Sequence, residues 1–164
     1  MKYDAPIKDI IVLGIGNLLM SDEGIGVHLV QRLSDFADEF SNVDFVDAGI
    51  GGVTILHLIA GASKAIFIDC AYMDEEPGAI RRFTPREIED NRTIANLSLH
   101  EADLLKIIEM ARQLGQCPDE IVIFGVEPQV VKSGCELSKT LADRFDQYVT
   151  MIRNEIGHQL KSIR

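Results

Sequence analysis

Ile10-Ile-Val-Leu-Gly-Ile-Gly-Asn-Leu-Leu-Met-Ser-Asp-Glu-Gly24 is an apolar run that breaks into a glycine-bearing turn and closes on two adjacent carboxylates. The spacing of Ile25, Leu29, Val30 and Leu33 beyond it is helical, so the stretch reads as strand, turn and helix, the opening unit of an α/β fold. A helix N-terminus at such a turn offers free N–H groups and partial positive charge, which suits a phosphate in a dinucleotide fingerprint. Here the third glycine of that fingerprint is replaced by Leu19. A pyrophosphate would also lie beside Asp22 and Glu23, and one like-charge contact at about 4 Å costs roughly 4 kcal/mol at an effective dielectric near 20. The turn suits a cation, and a dinucleotide-binding domain is the least favoured reading.

The 164 residues are 46% hydrophobic, enough for one domain with a sizeable core. Sixteen basic against 26 acidic residues give a formal charge of −10, opposite to the footprint of a nucleic-acid binder. No run of about 18 apolar residues suggests a membrane span, and Met1-Lys-Tyr-Asp-Ala-Pro6 lacks a signal-peptide core, so a cytoplasmic location is expected. Cys70, Cys117 and Cys135 are odd in number and far apart, which argues against a disulfide framework or a structural zinc site.

Strand-like and helix-like periods alternate along the chain with no linker between them. Strands are expected at about 8–15, 43–48, 64–69, 78–83 and 120–126, and helices at about 23–39, 52–61, 85–91, 99–115 and 138–160. Capping boxes mark two helix starts, Thr84-Pro-Arg-Glu87 and Ser98-Leu-His-Glu101. The near-continuous apolar strands predict a single-domain, three-layer α/β/α fold over 1–164, with a mainly parallel, twisted five-stranded sheet flanked by helices. Parallel strands with right-handed crossovers put their carboxyl ends along one edge, where the following loops form a crevice.

Residues just beyond strand ends are therefore the candidates for chemistry. They are Glu23 after the first strand, Asp47 after the second and Asp69 after the third, joined by His100 at the start of a long helix. Two carboxylates and an imidazole make an O,O,N set that suits zinc or nickel, and three ligands leave positions open. Plainer roles compete at each position. Asp22 or Glu23 can serve the first turn of a helix, Asp47 can fix the turn in Asp47-Ala-Gly-Ile-Gly-Gly52, and Asp69 can cap a loop. His28, His57 and His158 fall in helical or polar settings that favour packing or exposure. Strand alternation places Cys70 on the face opposite Asp69, which argues against a thiol nucleophile in the crevice.

The ordered set Gly14-Ile-Gly-Asn-Leu-Leu-Met-Ser-Asp-Glu-Gly-Ile-Gly-Val27, Asp47-Ala-Gly49, Phe67-Ile-Asp-Cys-Ala71, Ser98-Leu-His-Glu101 and Gly125-Val-Glu-Pro128 resembles the NiFe-hydrogenase maturation proteases over about residues 8–140. The resemblance implies an endopeptidase that removes a C-terminal extension from a hydrogenase large-subunit precursor after nickel insertion. The family's metal-contacting positions fall on Glu23, Asp69 and His100, which become the expected catalytic and metal-contacting residues, with Asp47 as a further candidate. Members often carry Asp-Gly-Gly where this chain has Asp47-Ala48-Gly49, so a backbone conformation that favours glycine is in question there. The stretch 127–137, with Pro128 and Gly134, has the length of a loop that shapes substrate access.

On this reading the nickel arrives already held by the precursor's thiolates, and no tightly bound metal of the protein's own is expected. Two alternatives keep the same residues: a hydrolase carrying its own zinc, and a non-catalytic nickel-binding or chaperone-like maturation factor. Partners are the precursor, with no nucleic acid and no membrane insertion.

Overall fold

The computed structural model describes residues 8–90 and 99–162. Strands β1 (Ile10–Gly14), β2 (Val43–Asp47), β3 (Lys64–Cys70), β4 (Ile80–Phe83) and β5 (Glu120–Val126) form one sheet in the order β2-β1-β3-β5-β4. All neighbours are parallel except β4, which runs antiparallel to β5. The direction of β4 follows from its short connection to β3, residues 71–79, because a parallel crossover needs a dozen residues or more.

Helices α1 (Ile25–Ser34), α2 (Thr54–Ile59), α3 (Pro85–Asp90), α4 (Leu99–Gln113) and α5 (Lys139–Ser162) cover both faces. Alternation along the strands sorts the core. Ile10, Val12, Ile66, Ile68, Cys70, Val122 and Phe124 pack with Leu29 and Leu33 of α1 and with Tyr148, Ile152 and Ile156 of α5. Ile11, Leu13, Ala65, Phe67, Ile121 and Ile123 pack with Ile55 and Ile59 of α2, Ile88 of α3, and Leu104 and Ile108 of α4. The expected three-layer architecture is therefore the observed one.

The expected helix 23–39 is shorter than its apolar period implied. Its first residues form a 3-10 turn, Ser21–Gly24, and its last a second one, Ala37–Glu39. The capping box at α3 forms as read: Thr84 N–H donates to Glu87 Oε2 at 2.7 Å, and Glu87 N–H donates back to Thr84 Oγ1 at 3.4 Å. Ser98 of the other box lies outside the described residues. No helix among the described residues is long and apolar enough to cross a membrane.

At the amino edge of the sheet an ion network ties α5 to β3 and β4. Lys64 Nζ, nearly inaccessible, lies 2.7 Å from Glu155 Oε1 and 2.9 Å from Glu120 Oε1. Arg82 Nε donates to Glu155 Oε2 at 2.7 Å. The Arg82 hydrogen bond, with support from Lys64, holds the Glu155 carboxyl down at about 2.

Candidate active site

Strand order 2-1-3 means the chain leaves β1 in one direction across the sheet and returns past it to β3. The carboxyl ends of β1 and β3 thus flank a topological switch point, where α1 covers one face and α2 with α4 the other. Two of the expected site residues lie there, Glu23 from the turn that follows β1 and Asp69 from β3 itself.

Glu23 sits, half-buried, in the 3-10 turn that follows β1. Two glycines allow that turn to press onto the strand ends. A Cβ at Gly26 would come 2.2 Å from the Ile68 carbonyl oxygen, and one at Gly16 would come 2.1 Å from the carbonyl oxygen of Glu23 itself. The loop also adds Ile15 N–H to the Ile68 carbonyl at 2.8 Å, continuing the β1–β3 ladder past its last pair. Asp69, on β3, is fully buried, and its Oδ1 accepts the Cys70 N–H at 2.8 Å. Its place in the alternation, after Ala65 and Phe67, assigns it to the face that α4 covers. Cys70 belongs to the opposite layer, as its parity predicted.

His100 occupies the first turn of α4. This helix ends at Gln113 and leads into the start of β5, which pairs with the start of β3, so α4 runs from the carboxyl edge to the amino edge. Its backbone at position 100 is thereby at the same edge, and on the same face, as Asp69.

Asp47 differs from these three. It is exposed at the end of β2, and its Oδ1 accepts Gly49 N–H at 2.8 Å, the local bond of a turn-fixing aspartate. The left-handed conformations in this loop belong to Gly49, Gly51 and Gly52, with φ of 55°, 82° and 92°. Ala48 needs none of them, so its replacement of a family glycine leaves the loop intact.

The neighbouring carboxylates have separate tasks. Asp22, fully buried, accepts N–H from Gln129 and Val130 at 2.9 Å each through Oδ2 and from Ser138 at 2.7 Å through Oδ1. It anchors both ends of the loop 127–138, whose middle lines a cleft of about 400 Å³ with Ser21, Lys132 and Cys135. Glu127, buried at the end of β5, accepts Met73 N–H at 2.5 Å and so holds the loop that follows β3. Burial first, and then the nearby Cys70, Glu23 and Glu127, push the Tyr72 phenol above its ordinary range. The sequence reading assigned Glu127 no role, although its place just beyond an apolar strand is the signal that selected Asp47 and Asp69.

His57 and His158 are exposed, and His28 is half-buried with its pKa lowered mainly by burial. Among the described residues no three His, Cys, Asp or Glu side chains are gathered to hold a metal ion. Glu23 and Asp69 contribute two carboxylates at one edge, acceptor chemistry that suits a cation.

A switch-point crevice in a five-stranded α/β/α sheet, with carboxylates from two strand ends, defines the class of the protein as an α/β domain with an acidic site at its carboxyl edge. The hydrogenase maturation protease family model matches residues 27–155, and the chain belongs to that family. Asp47, Asp69 and His100 fall inside the match, and Glu23 precedes it. The chain is 32% identical over 144 residues to the hydrogenase expression/formation protein HupD of Thiocapsa roseopersicina, covering 87% of this chain. It spans 65% of the length of that relative and 62% of the HupD of Bradyrhizobium diazoefficiens. The hydrogenase 2 maturation peptidase of Thaumarchaeota archaeon SCGC_AB-539-E09 is 30% identical, with a TM-score of 0.67 over 92% of this chain and 99% of that one. The Escherichia coli hydrogenase maturating endopeptidase HybD, at 23% identity and a TM-score of 0.77 over 92% of this chain and 93% of that one, shows the same fold.

Proposed function

We propose that this protein is the endopeptidase that removes the C-terminal extension of a NiFe-hydrogenase large-subunit precursor, and that it recognises the nickel the precursor carries. The observation that supports this most is the placement of Glu23 and Asp69 at the carboxyl ends of β1 and β3, flanking the switch point. Family membership and the maturation-peptidase relatives support the reaction class.

Glu23, Asp69 and His100 are the contacts at vacant positions on the substrate's nickel. Carboxylates brought to one edge repel one another, and a docked cation relieves that repulsion, so affinity for the precursor rises once it is metallated. The nickel thus acts as a docking mark and as a Lewis acid near the bond to be cut. The protein's own contribution is to hold that bond and a water at a fixed place, and such positioning removes several kcal/mol from a barrier. Asp47 shapes the adjoining loop through Gly49 and lies outside the contact set.

Replacing the contacts one at a time tests the assignment. Glu23→Gln, Asp69→Asn and His100→Gln are each expected to slow removal of the extension by about a hundredfold or more, with unchanged circular dichroism. Wild-type rates in all three variants would move the site elsewhere. Metal analysis of protein purified without added metal is expected to find no stoichiometric metal. One tightly held zinc per chain would replace substrate-borne nickel with a resident ion.

A further inference from the structure

We propose that the apolar side chains exposed around the carboxyl edge form a docking surface for the folded, metal-bearing part of the precursor, separate from the contacts to its nickel. This rests on the function proposed above, because it takes the occupant to be the same substrate. Five of the seven large apolar side chains exposed among the described residues lie on the loops that follow the four parallel strands. Leu19 follows β1, Ile50 and Val53 follow β2, Tyr72 follows β3 and Val131 follows β5, with exposures of 65%, 68%, 63%, 46% and 37%. The other two, Met110 in the last turn of α4 and Leu114 just past its end, lie away from these loops in the chain.

These loops are bonded to one another and not only to their own strands. Gly16 N–H donates to the Gly49 carbonyl at 2.7 Å, joining the first loop to the second. Gly134 N–H donates to the Leu19 carbonyl at 2.9 Å, and Asp22 binds the backbone beside Val131, joining the first loop to the last. Glu127 joins the last loop to the one bearing Tyr72. The exposed side chains therefore stand on one braced rim around Glu23 and Asp69, where a substrate reaching those residues must pass. Exposing them costs hydrophobic free energy that a bound partner recovers.

Charge selects the partner. The same loops carry acidic residues after β1, β3 and β5, Lys132 is their one basic residue, and the whole chain has a formal charge of −10. A second copy would bring the same acidic rim against this one, whereas a protein presenting a cation amid apolar surface is complementary in both respects.

Leu19→Ser and the double variant Ile50→Ser/Val53→Ser change only exposed loop side chains, and unchanged melting curves would confirm that folding is intact. Affinity for nickel-loaded precursor, measured by immobilising the precursor, is expected to fall about tenfold in each. Where wild type cleaves, KM should rise by that factor with kcat nearly unchanged. Wild-type affinity in both variants would overturn the inference. So would a wild-type dimer in analytical ultracentrifugation that the variants abolish, because the rim would then serve self-association. Wild type that binds the precursor without cleaving it, with binding weakened in the variants, would overturn the peptidase reading and leave the docking surface standing. Wild type that neither binds nor cleaves would remove both.

Discussion

Asp22 and Glu23 are neighbours of the same charge in one turn, yet the fold divides their work. Asp22 spends its carboxylate on three backbone N–H groups that lie 107 to 116 residues further along the chain, whereas Glu23 remains half-buried at the strand ends. Both were readable in the sequence as acidic residues of a loop that fails as a phosphate cradle. Their division was not, because the amides that claim Asp22 come from a remote loop. Asp22→Ala would leave those part-buried donors without their carboxylate, at a cost of about 1–3 kcal/mol in folding free energy. Faster amide exchange at Gln129, Val130 and Ser138 would locate the loss, and unchanged protection there would refute the anchoring role. Glu127 was accessible to the same strand-end reasoning that selected Asp69, while the Asx bond of Asp47 followed one of the two readings its sequence allowed.

At the level of elements, apolar runs of Ile, Val and Phe marked the buried strands, the expected spans overlap all five strands, and the Thr84–Glu87 pattern located a helix start. Thr84→Ala should cost about 1 kcal/mol, read as a shift in the denaturant midpoint at constant m-value. The first helix was overextended because its apolar period runs through residues whose backbone belongs to 3-10 turns. The first turn of α1 is set against the strand ends backbone to backbone. Gly26 lies so close to the Ile15 and Ile68 carbonyls that no side chain fits, and periodicity carries no information about such an approach. Gly26→Ala must push α1 away from β1 and β3, and is expected to destabilise by about 1–3 kcal/mol while slowing cleavage through the displaced Glu23 turn. Full stability and full activity in that variant would show that the turn has slack the packing denies.

Across the whole molecule, two edges of the sheet serve different ends. The amino edge is closed by the Lys64, Glu120, Glu155 and Arg82 network, which joins residues from three strands and the last helix. Glu155 titrates at about 2 in the fold against an ordinary 4.5, so its stabilising share is complete above about pH 4.5 and fades as pH falls toward 2. Glu155→Gln should therefore cost about 2–3 kcal/mol at pH 7, and the gap to wild type should narrow through that acid range in urea unfolding. A gap independent of pH would assign the loss to packing. The carboxyl edge is kept open, acidic and rimmed with apolar side chains. That the loops after the parallel strands would share this edge was legible from the alternation of strands and helices alone. That the start of α4 returns to this edge was harder to read, since β4 and α3 lie between Asp69 and His100 in sequence.

The dependence of cleavage on the substrate's nickel is the property that would set this site apart from an ordinary hydrolase. Incubating the protein with nickel-loaded and nickel-free large-subunit precursor, and weighing the large subunit by mass spectrometry, reads it directly. The loaded precursor should lose the mass of its C-terminal extension while the empty one keeps it. Equal loss from both forms would contradict recognition of nickel, and loss from neither would contradict the peptidase itself.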